Sequence, residues 1–365
     1  MPGIYISYPF CAQKCTYCNF ASGVFPEQLA SDYLEVLRAE IAAHPWSWQP
    51  ETVYLGGGTP SQLAPEALEQ LLSTLPGRPW LEATLEAAPG GLTPERAAAW
   101  RQAGINRVSF GVQSFVQREI ARSGRKHTAE IVAAEVTMLR DAGIEEINLD
   151  LIAGLSGQTE ASWRQSLDGI ERLAPPHVSI YMLEVDEDSR LGQEILLGGK
   201  RYGASDVPSD AEIVAFYEVA VERLERMGVR RYEISNFARR GSESRHNLKY
   251  WRLEPYIGFG ADAHSMDGGL RWQNVESAAE YVARWREGRS VRAESVEARP
   301  EEERFFVGLR LNEGIELRPE DRSRFEEPIR RFLDAGLLEE SGARLRLTPQ
   351  GVVFSNEVFQ EFVEL

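Results

Sequence analysis

Cysteine is scarce in this 365-residue chain: there are three, and all lie within "CAQKCTYCNF", residues 11–20. An odd number excludes a disulfide framework that uses every thiol. No apolar run is long enough to span a bilayer. The opening "MPGIYISYPF" has no basic n-region, which argues against a secretory signal. Positive charge is also short: 40 Lys and Arg face 56 Asp and Glu, for a formal net charge of −16. Such a chain repels polyanions, so nucleic acid is not expected as a partner. Clustered thiols without a signal or a membrane span point to a reducing cytoplasm, still compatible with peripheral membrane contact.

What is present is a core and a rhythm. Apolar residues make up 43% of the chain, and the length suits one large domain with a smaller one. Short β-branched or aromatic runs at Ile4–Tyr8, Thr52–Leu55, Ala83–Ala87, Arg107–Phe110, Glu146–Leu151 and His177–Leu183 read as strands. Between them, segments such as 27–44, 65–75 and 128–143 carry helical period. Thr93 before Pro94 reads as an N-cap, and Ser209 with Glu212 has capping-box spacing. Six strand–helix alternations predict parallel strands joined by right-handed crossovers.

The unusual residues fall in the loops after these strands. The cysteines follow the first, "GGGTP" the second, "EAAPGG" the third, "GVQSF" the fourth and "AGLSG" the fifth. Such a series at the carboxyl ends of parallel strands builds one active face. Six units predict an open, partial α/β barrel, with an open doubly wound sheet as the alternative. The expected division is 1–240 for the barrel and 241–365 for a C-terminal mixed α/β unit. There, "EEPIRRFLDAGLLEE", "SGARLRLT" and "QGVVFSNEVFQEFV" follow in winged-helix order. In so acidic a chain that unit is expected to be structural or partner-binding.

Cys11, Cys15 and Cys18 stand in a C-x₃-C-x₂-C spacing. Structural zinc needs a fourth ligand, and the nearest His, His44, is distant in the chain. A cubane iron–sulfur cluster held by three thiolates keeps one iron open. The loop resembles that of the radical SAM superfamily, whose cysteines follow the first strand of a partial barrel. A finer likeness is to the coproporphyrinogen dehydrogenase-like branch, which comprises oxygen-independent coproporphyrinogen III dehydrogenases and HemW heme chaperones. It is carried by Tyr5, Pro9, Phe10 and Tyr17 around the cysteines, "LGGGTPS" (55–61), "GVQSF" (111–115) and "GRKH" (124–127). "NLDLIAGLSGQT" (148–159), "YEISNFA" (232–238), "HNLKYW" (246–251) and "YIGFGADAHS" (256–265) extend it.

The resemblance implies a 4Fe–4S cluster on the three cysteines and S-adenosylmethionine (SAM) on its open iron. It implies contacts of Tyr5 and Gly57 with that SAM, and of Tyr17, Gly58 and Thr59 with a second. Glu86 is the expected acceptor for a ribose or amino group, and Gln113, Arg125 and Asp150 are expected around the second SAM. Glycine at 56–58 also lets backbone N–H groups approach a ligand without Cβ interference. Two positions depart from the pattern. Ser7 stands where the family has His, and a hydroxyl cannot carry imidazolium charge. Ala88 replaces an Asn before Pro89.

Two features separate chaperone from dehydrogenase. The dehydrogenases carry a further cysteine where this chain has Phe20, and an N-terminal extension where this one reaches its first strand at residue 4. Both favour a heme chaperone, with heme as cargo and an apo-hemoprotein as recipient. "HNLKYW" nominates His246 as an axial ligand, with a buried, packed His as the plain alternative. Oxidative decarboxylation of coproporphyrinogen III is the second functional reading, and a structural zinc protein the third.

Overall fold

The structure, a computed structural model, describes residues 2–363. All six expected strands form: β1 (Gly3–Tyr8), β2 (Thr52–Gly57), β3 (Glu82–Ala87), β4 (Arg107–Gln113), β5 (Glu146–Ala153) and β6 (His177–Met182). They pair in order and in parallel. Alternation along β1 explains its placement. Ile4, Ile6 and Tyr8 point outward into the helical layer and are buried, while Tyr5 and Ser7 point to the inner face. Thr93 caps the helix Pro94–Gln102 by accepting from Arg96 N, and Ser209 with Glu212 closes a capping box on the helix Asp210–Arg226.

The sheet is wider than the alternation predicts. Past β6 come β7 (Arg230–Arg231) and β8 (Asn236–Ala238), antiparallel additions on that side. Past β1 come β9 (Tyr256–Phe259), β10 (His264–Asp267), β11 (Leu270–Asn274) and β12 (Arg292–Glu297). Twelve strands therefore share one sheet, ordered β12-β11-β10-β9-β1-β2-β3-β4-β5-β6-β8-β7. The division expected at residue 240 thus falls inside a continuous sheet. A separate three-stranded sheet, β13 (Ile315–Glu316), β14 (Leu338–Ser341) and β15 (Arg344–Leu347), belongs to the C-terminal unit. There the segment "EEPIRRFLDAGLLEE" forms a helix, Glu326–Asp334, that stops because Gly336 takes a φ of +68° and the chain turns into β14. Around the segment "QGVVFSNEVFQEFV" lie two short helices, Pro349–Val353 and Ser355–Gln360. No helix of the described residues is long and apolar enough to cross a membrane.

One short helix closes the amino-terminal end of the barrel. Arg245–Trp251 starts where Glu82, at the foot of β3, accepts from the backbone N–H of Arg245 and His246, each at 2.9 Å. Arg107 neutralises this carboxylate at 3.7 Å. Lys249 is buried and paired to Glu51 at 2.8 Å. Gly3 is required beside the plug: a Cβ there would come 2.8 Å from Thr52 Oγ1 and 3.1 Å from His246 Nδ1.

Candidate functional site

The carboxyl ends of β1–β6 gather most of the residues nominated from sequence. The cysteine loop leaves β1 and is pinned on three sides. Cys11 N donates to Gly23 O at 2.8 Å, Thr16 N to Ser123 O at 3.2 Å, and Leu191 N to Thr16 O at 2.9 Å. Gln13 adds a side-chain bond to Gly124 O. Cys11, Cys15 and Cys18 are unpaired and half-buried. Burial is the largest influence on Cys18 and raises its thiol above the ordinary value. Among the described residues no three His, Cys, Asp or Glu side chains close around a point suited to a single ion. Three thiolates on one loop can hold three irons of a cubane cluster and leave the fourth open.

"GGGTP" locks onto the start of this loop. Gly58 N donates to Tyr8 O and Thr59 N to Phe10 O, both at 2.9 Å. A Cβ on Gly58 would lie 2.7 Å from Tyr8 O and 2.8 Å from Phe10 N, so only glycine permits the approach. Gly57 has φ +98°, in the region glycine favours. Its open side faces Ser7 Oγ and Tyr5 Oη, which a Cβ would meet at 3.2 and 3.5 Å. Gly56 makes room for Glu86, whose Oε1 a Cβ would approach to 2.9 Å.

Glu86 accepts from Tyr54 Oη at 2.8 Å. Burial pushes its carboxyl up to about 7, opposed by the Tyr54 hydrogen bond and assisted by the Asp150 charge. Tyr5 stacks near Tyr54, with ring centroids 6.1 Å apart. Asp150 is likewise raised by burial, although Asn148 donates to it at 2.7 Å and Ser109 at 3.2 Å. Arg125 donates to Gly111 O at 2.7 Å and lies beside Tyr17 and Cys15. Gln113 sits at a register irregularity in β4 with φ +67°, a costly conformation for a non-glycine residue.

Gln113 Oε1 is buried without a protein partner, while Tyr17 Oη and Arg125 Nε are buried against each other without a well-formed hydrogen bond. Buried polar groups are normally satisfied. The carboxylates, the guanidinium and the open glycine backbone therefore fit a polar, charged ligand such as SAM beside the thiols. Glu135 was not foreseen. It sits among Val132, Val136 and Leu139 on the buried face of its helix, and it accepts from Gly90 N and Leu92 N at 3.0 and 2.9 Å. An acid in phase with an apolar stripe was the available signal.

His246 is not at this edge. It lies at the opposite end of the barrel, fully enclosed, with Nδ1 2.8 Å from Thr52 Oγ1 and Nε2 2.7 Å from Tyr250 Oη. It stacks on Tyr54 with centroids 5.2 Å apart. Burial, helped by Lys249, pushes its pKa down to about 3. Both ring nitrogens are engaged and the ring is fully buried, which supports the packed-histidine alternative over an open axial ligand.

Comparison with known proteins follows this geometry. Residues 5–170 match the model of the radical SAM superfamily, and residues 301–354 that of the HemN C-terminal domain. Heme chaperone HemW of Bacillus subtilis is 34% identical, over 100% of this chain and 99% of its own length. Heme chaperone HemW of Lactococcus lactis is 32% identical over 98% and 96%. The structure of coproporphyrinogen III oxidase (HemN) from Escherichia coli superposes with a TM-score of 0.86. It covers 99% of this chain and 89% of its own at 21% identity, a likeness of fold.

Proposed function

Because this chain belongs to the radical SAM superfamily, in the branch that includes the HemW proteins, we propose that it is a heme chaperone that delivers heme to apo-hemoproteins. The observation that carries this reading is end-to-end likeness, at 34% identity, to a relative named as a heme chaperone. Phe20, in place of the further cysteine of the dehydrogenases, supports it. The likeness to coproporphyrinogen III oxidase is one of fold and leaves oxidative decarboxylation as the weaker reading.

In this reading Cys11, Cys15 and Cys18 hold the cluster, which when bound supplies one-electron chemistry with SAM at its open iron. Gly57 gives backbone access to SAM, and Tyr5 walls that side. Glu86 accepts from its polar groups. Gln113, Arg125 and Asp150, with Tyr17, Gly58 and Thr59, line the room for a second molecule. Glu135 holds the loop after Glu86 in place from behind.

The test is anaerobic reconstitution followed by three parallel assays: heme binding, heme transfer to an apo-hemoprotein, and coproporphyrinogen turnover with SAM and a strong reductant. Heme should bind and move to the recipient while turnover stays at background. Conversion of coproporphyrinogen to protoporphyrinogen overturns the chaperone reading.

A further inference from the structure

With His246 enclosed, the heme proposed as cargo needs another place, and the exposed apolar side chains offer one. Phe20 is 68% exposed, Val24 64%, Phe354 41% and Val185 39%. Hydrogen bonds join the segments that carry them. Asn19 Nδ2 donates to Asp186 Oδ2 at 2.8 Å, and Asn356 Nδ2 to Glu184 Oε1 at 3.4 Å. The cysteine loop, the loop after β6 and the helix Ser355–Gln360 therefore meet at the barrel mouth, with Phe20, Val185 and Phe354 beside the joints. Exposed apolar side chains gathered where segments meet are candidates for an interaction site.

Two cations stand in the same place. Lys14 Nζ lies 3.2 Å from Phe20 O, and Arg190 Nη2 donates to Lys14 O at 3.1 Å. Two of the nearby acids are engaged, since Asp186 accepts from Asn19 and from Asp188 N, and Glu184 accepts from Asn356, while Glu187 and Asp188 are exposed in the same loop.

We propose that heme docks on this rim, its face against Phe20, Val24, Val185 and Phe354, and its carboxylates toward Lys14 and Arg190. The inference rests on the heme-chaperone reading. A planar apolar macrocycle carrying two carboxylates matches exposed apolar side chains with two cations beside Phe20. The rim offers a few side chains, whereas a stable protein interface engages about 20–30 residues a side. An open rim also suits a cargo that must leave, since release requires no unfolding. No histidine belongs to the rim, so bis-histidine ligation is not expected.

The experiment titrates heme into anaerobic, cluster-loaded protein and follows the Soret band. The variants are Phe20→Ser/Val185→Ser and, as a control, Leu81→Ser, which removes an equally exposed side chain (59%). Heme affinity should fall about tenfold or more in the double variant and stay unchanged in the control. Heme dimethyl ester, which lacks the carboxylates, should bind wild type more weakly and be insensitive to Lys14→Gln/Arg190→Gln. All these positions are at the surface, and iron content and melting temperature verify that each variant is folded. If wild type binds heme and the double variant binds equally well, the rim is overturned while the chaperone reading stands. If wild type does not bind heme, both fall.

Discussion

Replacing His246 with Ala should destabilise the protein even when no heme is present. The change removes an imidazole that is 0% exposed and leaves Thr52 Oγ1 and Tyr250 Oη each without its ring partner. An orphaned buried hydroxyl costs about 1–3 kcal/mol, and the cavity adds to it. Partial relaxation keeps the total to roughly 3–5 kcal/mol, by the same reasoning. Asn at 246 can still reach Thr52 but not Tyr250, so it should recover about 1 kcal/mol of that loss. The assay is urea unfolding of heme-free protein, followed by tryptophan fluorescence with iron content checked in parallel. Should His246→Ala leave the heme-free midpoint unchanged while altering the heme spectrum, the histidine is a ligand and its enclosure is not its working state.

The same residue sets a pH dependence. His246 has a pKa of about 3 in the fold against roughly 6.5 unfolded, so the unfolded chain binds the extra proton. Its contribution is complete above about 6.5 and is lost progressively as pH falls toward 3; His246→Asn should show a shallower acid slope over that window. Glu86, raised to about 7, becomes the better acceptor for a cationic amino group as pH rises through that value. SAM affinity should therefore rise with pH in wild type and be weaker and flatter in Glu86→Gln, as read by equilibrium binding. Gly58→Ala forces a Cβ against three backbone atoms at 2.7–2.8 Å, at a cost of about 1–3 kcal/mol, and should lower iron retention. Gly57→Ala meets only ordinary or slightly tight neighbours, but its φ of +98° strains an alanine there. It should cost about 1 kcal/mol of stability, seen as a lower melting temperature, and weaken SAM binding further than distant surface variants of equal stability, read by equilibrium binding with iron content checked in parallel. Any single Cys→Ala change at 11, 15 or 18 should abolish the cluster while the barrel stays folded, as measured by iron analysis and circular dichroism.

Residues under strong local rules were legible in the sequence. Strands β1–β6 are buried on their outer face, so Val, Ile and Leu appear in pattern and their positions could be read to within a few residues. The strands beyond β1 could not be read this way. β12 is "RAESVE", exposed at every position, so burial imposes no alternation on it. β9 is only four residues long and borrows its pairing from β1. The thiol loop was legible because its spacing is itself the chemistry. His246 was not, because "HNLKYW" is compatible with an open ligand and with a plug. What decides between them is Glu82, 164 residues away in the chain, which receives the helix start. Glu135 was missed because an acid within an apolar helical face ordinarily reads as an interruption rather than as an anchor.

The pairing of β1 has a consequence for the order of biosynthesis. Gly3 pairs with Thr52 on one side and with Tyr256 on the other. The first partner leaves the ribosome early; the second follows about 250 residues after Gly3, on the order of tens of seconds later at typical translation rates. During that interval the strand leading to Cys11 is the bare edge of a growing sheet, open to wrong partners. A nascent chain stalled before Tyr256 should expose this edge and the thiols to proteolysis and oxidation, and one stalled beyond Glu297 should not. Iron loaded during the interval would sit on a strand held from one side only.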